Sequence, residues 1–359
     1  MTRVRAPYME WAKSRPRPAV DLAGSNLDPC RLDDLPGARE ALDLAGESPN
    51  GYAPLVEAIA AAHGVSADRV ATGSGCSGAT FLACAALLEP GDEVLVESPF
   101  YDPMPAAARL LGAAVRTFDR RFEAGWDLDP DAVAAALTPR TRLVMLSNPH
   151  NPTGTLARPE NLRALGELAL RRGFAVLVDE VYRDTVFDDR PRPAATLSPA
   201  FVSVSSLTKA YGLASLRCGW TLATAEWTER IRRARDVVDV WAPIPSDRLA
   251  VVAFRHLDAL SARARAIVSA NQAAVAGWLA SRAEIACVPP RSTLAFPRFE
   301  AVEDSGPFVE RLFATTGTAV AAGRFFGAPA HFRVAFGGAP AAVEAGLASM
   351  TRCLDASAP

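Results

Sequence analysis

The stretch SLTKAYGLASLRCGW, residues 206–220, decides how the rest of this chain is interpreted. It contains Lys209, which is one of only two lysines among the 38 basic residues (Lys and Arg) of the chain; the other is Lys13. A lysine amine can lose its proton and form an imine, whereas the guanidinium of arginine stays protonated. The scarcity of lysine therefore makes Lys209 a candidate for a catalytic role. The alternative is that this lysine is present by chance.

On both sides of this stretch, from about residue 50 onward, short apolar runs alternate with helical patterns. The pattern predicts strands over 70–72, 93–97, 114–118, 143–146, 175–178, 201–204 and 218–222, and helices over 54–63, 76–88, 105–111, 130–137 and 159–172. Strands separated by helices indicate a mainly parallel sheet that is covered on both faces. Ligands of such sheets bind at the carboxyl ends of the strands.

After residue 245 the pattern changes to a long helix over about 258–283, which is followed by shorter strands over 285–288, 294–299, 318–321 and 332–336 and by helices near 307–315 and 341–354. This pattern is typical of a smaller α+β domain. We therefore divide the chain into three segments. Residues 1–45 form an N-terminal arm or part of the small domain, residues 46–245 form the large domain, and residues 246–359 form the C-terminal small domain.

Polar residues follow several of the predicted strands, so the sheet would gather them at one edge. Asp179 follows the strand over 175–178, which suits a buried carboxylate that needs a cationic partner; a turn cap is the alternative. Asn151 lies in NPHNPTG, residues 148–154, whose prolines and glycine predict a rigid turn. With Lys209, these residues match what a pyridoxal 5'-phosphate (PLP) site needs: an amine, a carboxylate for the ring nitrogen and a donor for the ring oxygen.

In order and spacing, these segments resemble the class I and II aminotransferases. The resemblance runs from about Gly51 to Met350, and its strongest stretches are SNPHNPTG (147–154), VDEVY (178–182) and SLTKAYGLASLRCGW (206–220). Weaker support comes from GYAPL (51–55), ATGSGCSGA (71–79), ESPFY (97–101) and HFRVAFGG (331–338). The resemblance implies PLP fold type I, with a mainly parallel seven-stranded sheet between helices and a smaller α+β domain.

The resemblance also implies a role for each matching residue. Lys209 would hold PLP as a Schiff base and then move a proton between the substrate and the cofactor. Asp179 would pair with the pyridinium nitrogen, Asn151 and Tyr182 would hydrogen-bond the ring oxygen, and Tyr101 would stack on the ring. Lys209, Asp179 and Tyr182 form the implied catalytic set.

The remaining matches concern the cofactor phosphate and the substrate. The implied phosphate site comprises Ser74, Gly75, Cys76, Ser206 and Arg217. Tyr52 would reach the phosphate of a neighbouring subunit, which implies a homodimer with shared active sites. Arg333 would bind the substrate α-carboxylate in a bidentate manner, and Asn151 and Gly24 would complete the substrate site.

Composition argues against several other classes of protein. The net charge of −2 does not favour a nucleic-acid or membrane partner, and the first twenty residues lack the apolar run of a signal peptide. The six cysteines and four histidines are scattered, which predicts reduced thiols and no metal site. Composition therefore predicts a cytoplasmic protein, and the resemblance implies an enzyme that acts on an amino acid and a 2-oxo acid.

Several alternatives stay open. The same cofactor site serves PLP-dependent lyases, decarboxylases and deaminases, and two departures from the family pattern (Ala214-Ser215, and the loop over 289–297) leave the substrate unassigned. Ser206-x-x-Lys209 also matches the S-x-x-K of serine β-lactamases, but their S-D-N and K-T-G motifs are missing. A PLP-binding transcriptional regulator would need a DNA-binding module, and the residues before Gly51 are too few for one.

Overall fold

The computed structural model describes residues 4–356. The strands are β1 Val20–Asp21, β2 Val70–Ser74, β3 Glu93–Ser98, β4 Ala114–Asp119, β5 Thr141–Ser147, β6 Ala175–Asp179, β7 Phe201–Ser206, β8 Cys218–Leu222, β9 Ile285–Ala286, β10 Leu294–Ala295, β11 Arg298–Phe299, β12 Thr318–Ala319, β13 Ala321–Ala322 and β14 Phe332–Ala335. The helices are α1 Pro7–Ser14, α2 Ala38–Ala41, α3 Ala53–His63, α4 Gly75–Leu87, α5 Pro103–Leu110, α6 Pro130–Ala136, α7 Pro159–Arg172, α8 Ala225–Val238, α9 Ile244–Arg255, α10 Leu257–Ala280, α11 Gly306–Thr316 and α12 Pro340–Asp355.

A seven-stranded sheet in the order β2-β8-β7-β6-β5-β3-β4 forms the centre of the fold. Only β8 runs against the others: it pairs antiparallel with β2 and β7, while the remaining pairs are parallel. Six strands therefore end at the same edge of the sheet. The predicted α/β class with a mainly parallel, seven-stranded sheet is confirmed.

The side chains of the central strands alternate between two cores because successive residues of a strand point to opposite faces. On β6, Val176 and Val178 pack in a cluster with residues of α6 and α7, whereas Leu177 packs in a cluster with residues of α4, α5 and α8. All five residues of β6 are buried. This covering on both faces is why the strands are near-continuous apolar runs.

Beyond α9, the C-terminal part is built from short strands and the helices α10, α11 and α12. Strands β10, β14 and β13 form one small antiparallel sheet and β9 pairs with β11. The N-terminal strand β1 pairs in parallel with β12, so residues near the start of the chain pack with this part. The division into domains stays a prediction, and its boundary at 245 falls in the first turn of α9.

Four helices and two strand breaks were absent from the sequence expectation. Helices α1, α2, α8 and α9 were not predicted, although the side chain of Thr224 caps α8 by accepting from the backbone N–H of Trp227. The strand expected over 294–299 is split into β10 and β11, and Pro297, which has no N–H to donate, stands between them. The strand expected over 318–321 is split into β12 and β13. Among residues 4–356, no helix has the length and apolar character that crossing a bilayer requires.

Candidate active site

A cavity of about 460 Å³ opens where the sheet strands end. Eight residues that the sequence singled out line it: Cys76, Tyr101, Asn151, Asp179, Tyr182, Ser206, Lys209 and Arg217. Asp179 is the last residue of β6 and Ser206 the last of β7, so parallel pairing brings them to one edge as expected. Ser25, Asn26, Ser77 and Thr80 also line the cavity. Ser25 and Asn26 directly follow Gly24, which we expected near the substrate, whereas Ser77 and Thr80 were not assigned.

The amine of Lys209 is held at the cavity wall by two neutral acceptors. Its Nζ donates to Oδ1 of Asn26 at 2.7 Å and to Oγ of Ser25 at 3.1 Å. Removal from water, helped by the positive charge of Arg333, lowers the pKa of Lys209 to about 8. About a tenth of the amine is therefore neutral at pH 7, and the neutral form is the one that attacks an aldehyde.

The carboxylate of Asp179 is buried without an ion pair among the described residues. Its Oδ1 accepts from the backbone N–H of Val181 at 3.0 Å and from the thiol of Cys76 at 3.3 Å. Burial raises the pKa of Asp179 above its ordinary value. A buried carboxylate of this kind gains most from a cationic partner, so the site fits a protonated ring nitrogen.

The turn after β5 presents Asn151 to the cavity. The backbone N–H of Asn151 donates to Oγ of Ser147 at 2.9 Å. Gly154 closes the turn with φ +73°, and a Cβ there would lie 2.1 Å from the carbonyl oxygen of Leu294. The turn is therefore rigid for the reason that the sequence suggested, namely backbone positions that other residues cannot occupy.

A buried ion pair beneath this turn was not identified from the sequence. Oε1 of Glu97 accepts from the N–H of Ser147 at 2.7 Å and from its hydroxyl at 2.6 Å, and Oε2 accepts from Nη1 of Arg120 at 2.9 Å. Both charged side chains are 0% exposed, and burial raises the pKa of Glu97 to about 7. Glu97 thus fixes Ser147, which in turn fixes Asn151. Its position in ESPFY was the available signal.

Arg333 lies behind the cavity wall on β14 and is 0% exposed. Its Nη1 donates to Oδ1 of Asn151 at 2.9 Å, and its Nη2 donates to the hydroxyl of Tyr8 at 2.5 Å and to the carbonyl of Ala23 at 2.8 Å. Its buried Nε has no partner among the described residues. A guanidinium with an unused donor suits a carboxylate ligand. Tyr8 belongs to α1, which the sequence did not predict.

The start of α4 provides backbone amides at the other end of the cavity. The N-terminal turn of a helix leaves N–H groups that can bind an anion. Gly75 has φ +67°, and a Cβ there would lie 2.2 Å from Nη2 of Arg217, so glycine lets the guanidinium approach. Nη2 of Arg217 also donates to the carbonyl of Ser74 at 3.3 Å. These residues can form a phosphate site, although Ser74 and Gly75 themselves do not line the cavity.

The remaining residues that the sequence assigned to the site lie partly inside and partly outside the cavity. The hydroxyl of Tyr182 donates to Oγ of Ser25 at 2.7 Å, and that of Tyr101 to Sδ of Met9 at 3.3 Å. Tyr52 lies outside the cavity at the start of α3. Gly24 is exposed and also outside it. No cluster of three metal-ligating side chains occurs within residues 4–356.

Comparisons with known proteins point to one family. The sequence model described as "Aminotransferase class I and II" matches residues 35–350. Capreomycidine synthase of Streptomyces vinaceus is 36% identical over 286 residues, which cover 79% of this chain and 73% of the synthase. Most other similar curated proteins are transaminases by name.

Solved structures share the fold over the whole chain. A PLP-dependent aminotransferase from Streptococcus suis 89-1591 superposes with a TM-score of 0.94 at 24% identity, and the match covers 100% of both chains. The PLP-dependent cyclase OrfR superposes with a TM-score of 0.87 at 28% identity, covering 100% of this chain and 99% of the cyclase. The expected fold type I is confirmed.

Proposed function

This chain belongs to the class I and II aminotransferase family, whose members depend on PLP, and on that premise we propose that it is an aminotransferase. It would move an amino group between an L-amino acid and a 2-oxo acid, with Lys209 holding the cofactor. The observation that carries the proposal is the meeting of Lys209, Asp179, Asn151 and Tyr182 in one cavity.

The residues present fit PLP at each end of the cofactor. When bound, PLP supplies an electron-withdrawing ring that stabilises negative charge on the substrate α-carbon. The buried carboxylate of Asp179 would hold the ring nitrogen protonated, and the amides at the start of α4 with Arg217 and Ser206 would bind the phosphate. Asn151 and Tyr182 would donate to the ring oxygen, and Tyr101 would cover the ring.

Residues at the substrate end of the site would bind the α-carboxylate of the amino acid. Arg333 would bind the α-carboxylate through its unpaired Nε and through donors released from their present acceptors, with Asn151 beside it. The amine of Lys209 would move a proton between the substrate α-carbon and the cofactor. We further propose a cytoplasmic homodimer in which Tyr52 reaches the neighbouring subunit's phosphate, since Tyr52 lies outside its own cavity, 5.8 Å from the guanidinium of Arg248.

A second candidate is a PLP-dependent cyclase or another non-transferring reaction (lyase, decarboxylase or deaminase). The specific support is that two relatives at 36% and 28% identity are a capreomycidine synthase and a cyclase. Both candidates need the same cofactor residues. They differ in whether the amino group stays on the cofactor at the end of the half-reaction.

Product analysis of that half-reaction tests the proposal. The purified protein with PLP is mixed with single L-amino acids, and the visible band of lysine-bound PLP and the released product are followed together. We expect the band to bleach as 2-oxo acid and pyridoxamine phosphate form, and to return when a 2-oxo acid is added. Ammonia, carbon dioxide or a cyclic product without pyridoxamine phosphate would refute transamination in favour of the second candidate.

A further inference from the structure

Both lysines of the chain line the same cavity. Lys209 is the proposed cofactor lysine, and Lys13, in the last turn of α1, lines the cavity as well. Every other basic residue among the 38 is arginine. Lysine differs from arginine by a compact, mobile ammonium that acts as a point charge on an anion. A second flexible cation therefore stands at the cavity wall.

Helix α1 is fixed beside the substrate end of the cavity. The backbone N–H of Tyr8 donates to Oδ2 of Asp102 at 2.7 Å, and the Tyr8 hydroxyl contacts Arg333. Met9 accepts from the hydroxyl of Tyr101 at 3.3 Å. Lys13 follows Met9 by one helical turn, and residues so spaced share a helix face. Lys13 therefore belongs to the wall that continues from Arg333, and not to the amides at the start of α4.

The ammonium of Lys13 has no counter-ion of its own. Within residues 4–356 it makes no hydrogen bond or ion pair, and the residue is exposed. Two nearby carboxylates are taken: Glu10 pairs with Arg5, and Asp21 pairs with Arg15. Three cations (Lys13, Lys209 and Arg217) and one carboxylate (Asp179) stand among the lining residues. The lining therefore carries more cations than carboxylates, and the proposed cofactor contacts do not use Lys13.

We propose that Lys13 is a specificity-determining residue that binds a second carboxylate, carried on the side chain of the substrate. The proposal rests on the proposed function and names its substrate class: a dicarboxylic amino acid and the matching 2-oxo acid. Tyr8, which touches Arg333, and Lys13 are separated by about 7.5 Å along the helix axis, given 1.5 Å per residue. An α-carboxylate at Arg333 and a side-chain carboxylate at Lys13 would therefore bind at two different positions along α1.

Pairs of substrates that differ in the charge of the side chain test the role of Lys13. We compare kcat/KM of the half-reaction for L-glutamate against L-glutamine and for L-aspartate against L-asparagine. Each pair is measured with the wild type, Lys13→Met and Lys13→Arg. We expect the wild type to prefer the acid of each pair. In Lys13→Met, the ratio of acid to amide should fall about two- to fivefold, as for an exposed ion pair, and Lys13→Arg should keep most of it. Absence of an acid preference, or an unchanged ratio in Lys13→Met, would overturn the proposal.

Chemical labelling gives a readout besides activity. In the PLP-bound protein Lys209 is linked to the cofactor, so Lys13 is the one lysine side chain that an amine-reactive ester can acylate. We expect succinate to slow acylation of Lys13, measured by mass spectrometry, and butyrate to have little effect. Equal protection by both acids, or weaker PLP binding by Lys13→Met, would assign Lys13 elsewhere and overturn the proposal. If PLP never bound, both lysines would be labelled, and the proposed function would fail separately.

Discussion

Tyr8 and Arg333 lie 325 positions apart in the sequence, yet Nη2 of Arg333 donates to the Tyr8 hydroxyl at 2.5 Å. The same hydroxyl donates to the carbonyl of Ala23 at 3.0 Å, and the Tyr8 ring lies 4.8 Å from the guanidinium carbon. The first helix is thereby tied to the side chain that we assign to the substrate α-carboxylate. Tyr8 acts through Arg333 as a positioning residue.

Tyr8→Phe should therefore weaken substrate binding more than it slows the reaction. The ring contact stays, but Arg333 loses an acceptor and can turn from its substrate. We expect KM for the amino donor to rise about three- to tenfold, the value of one ordinary hydrogen bond, because Tyr8 acts on the substrate only through Arg333, with a smaller change in kcat. Tyr211→Phe is the matched control, since its hydroxyl donates to Asp184 away from the cavity. Equal KM values in Tyr8→Phe and wild type would contradict this role.

The Glu97–Arg120 pair should stabilise the fold because neither buried charge is left unpaired. Removal of one partner should therefore cost more stability than removal of both. Glu97→Leu leaves the guanidinium of Arg120 buried without its carboxylate, and we expect the free energy of unfolding to fall by about 3–5 kcal/mol. The double variant Glu97→Leu/Arg120→Met removes both charges and should recover most of the loss. Urea unfolding of the three proteins measures this. A double variant no more stable than Glu97→Leu would show that the pair is not the cause.

Asp179→Asn should keep PLP bound to Lys209 but slow the half-reaction by about 10²–10³-fold, because an amide cannot hold the ring nitrogen protonated. The visible band reports cofactor binding, and single-turnover mixing with the amino donor reports the rate. Cys76→Ser, which keeps a donor to Asp179, serves as the control and should change the rate far less. A rate within tenfold of wild type in Asp179→Asn would remove the carboxylate from the mechanism.

The pH dependence of cofactor uptake follows from the lowered pKa of Lys209, about 8. Only the neutral amine attacks the aldehyde, so the uptake rate of PLP by the cofactor-free protein should rise about tenfold per pH unit up to pH 8 and level off above it. The matched reference is N-acetyl-lysine, whose unshifted amine should keep gaining reactivity toward pH 10. An uptake rate that also climbs to pH 10 would mean that burial does not lower this pKa.

The central sheet and part of the cavity wall could be predicted because local sequence signals mark the ends of the strands. Asp179 and Ser206 follow apolar strands, and parallel pairing alone brings such strand ends together. The helix over 159–172 was predicted with the bounds found in the structure, since Pro159 and Gly173 mark its ends.

The parts that could not be predicted depend on contacts between distant segments. Helix α1 has eight residues and no side-chain cap, and its place is fixed by Arg333 and Asp102. The role of Glu97 depends on Arg120 across the sheet, which no local pattern reveals. The roles of the site residues, including Tyr52 and Gly24 outside the cavity, stay predictions.

The measurement that tests the central claim most directly is the absorbance spectrum of the purified protein beside Lys209→Ala, each incubated with PLP and dialysed. The account predicts a yellow wild type whose band disappears on borohydride reduction, with the label retained on the peptide that contains Lys209, and a variant without that band. A wild type that binds no PLP, or a reduced label found on Lys13 instead, would contradict it.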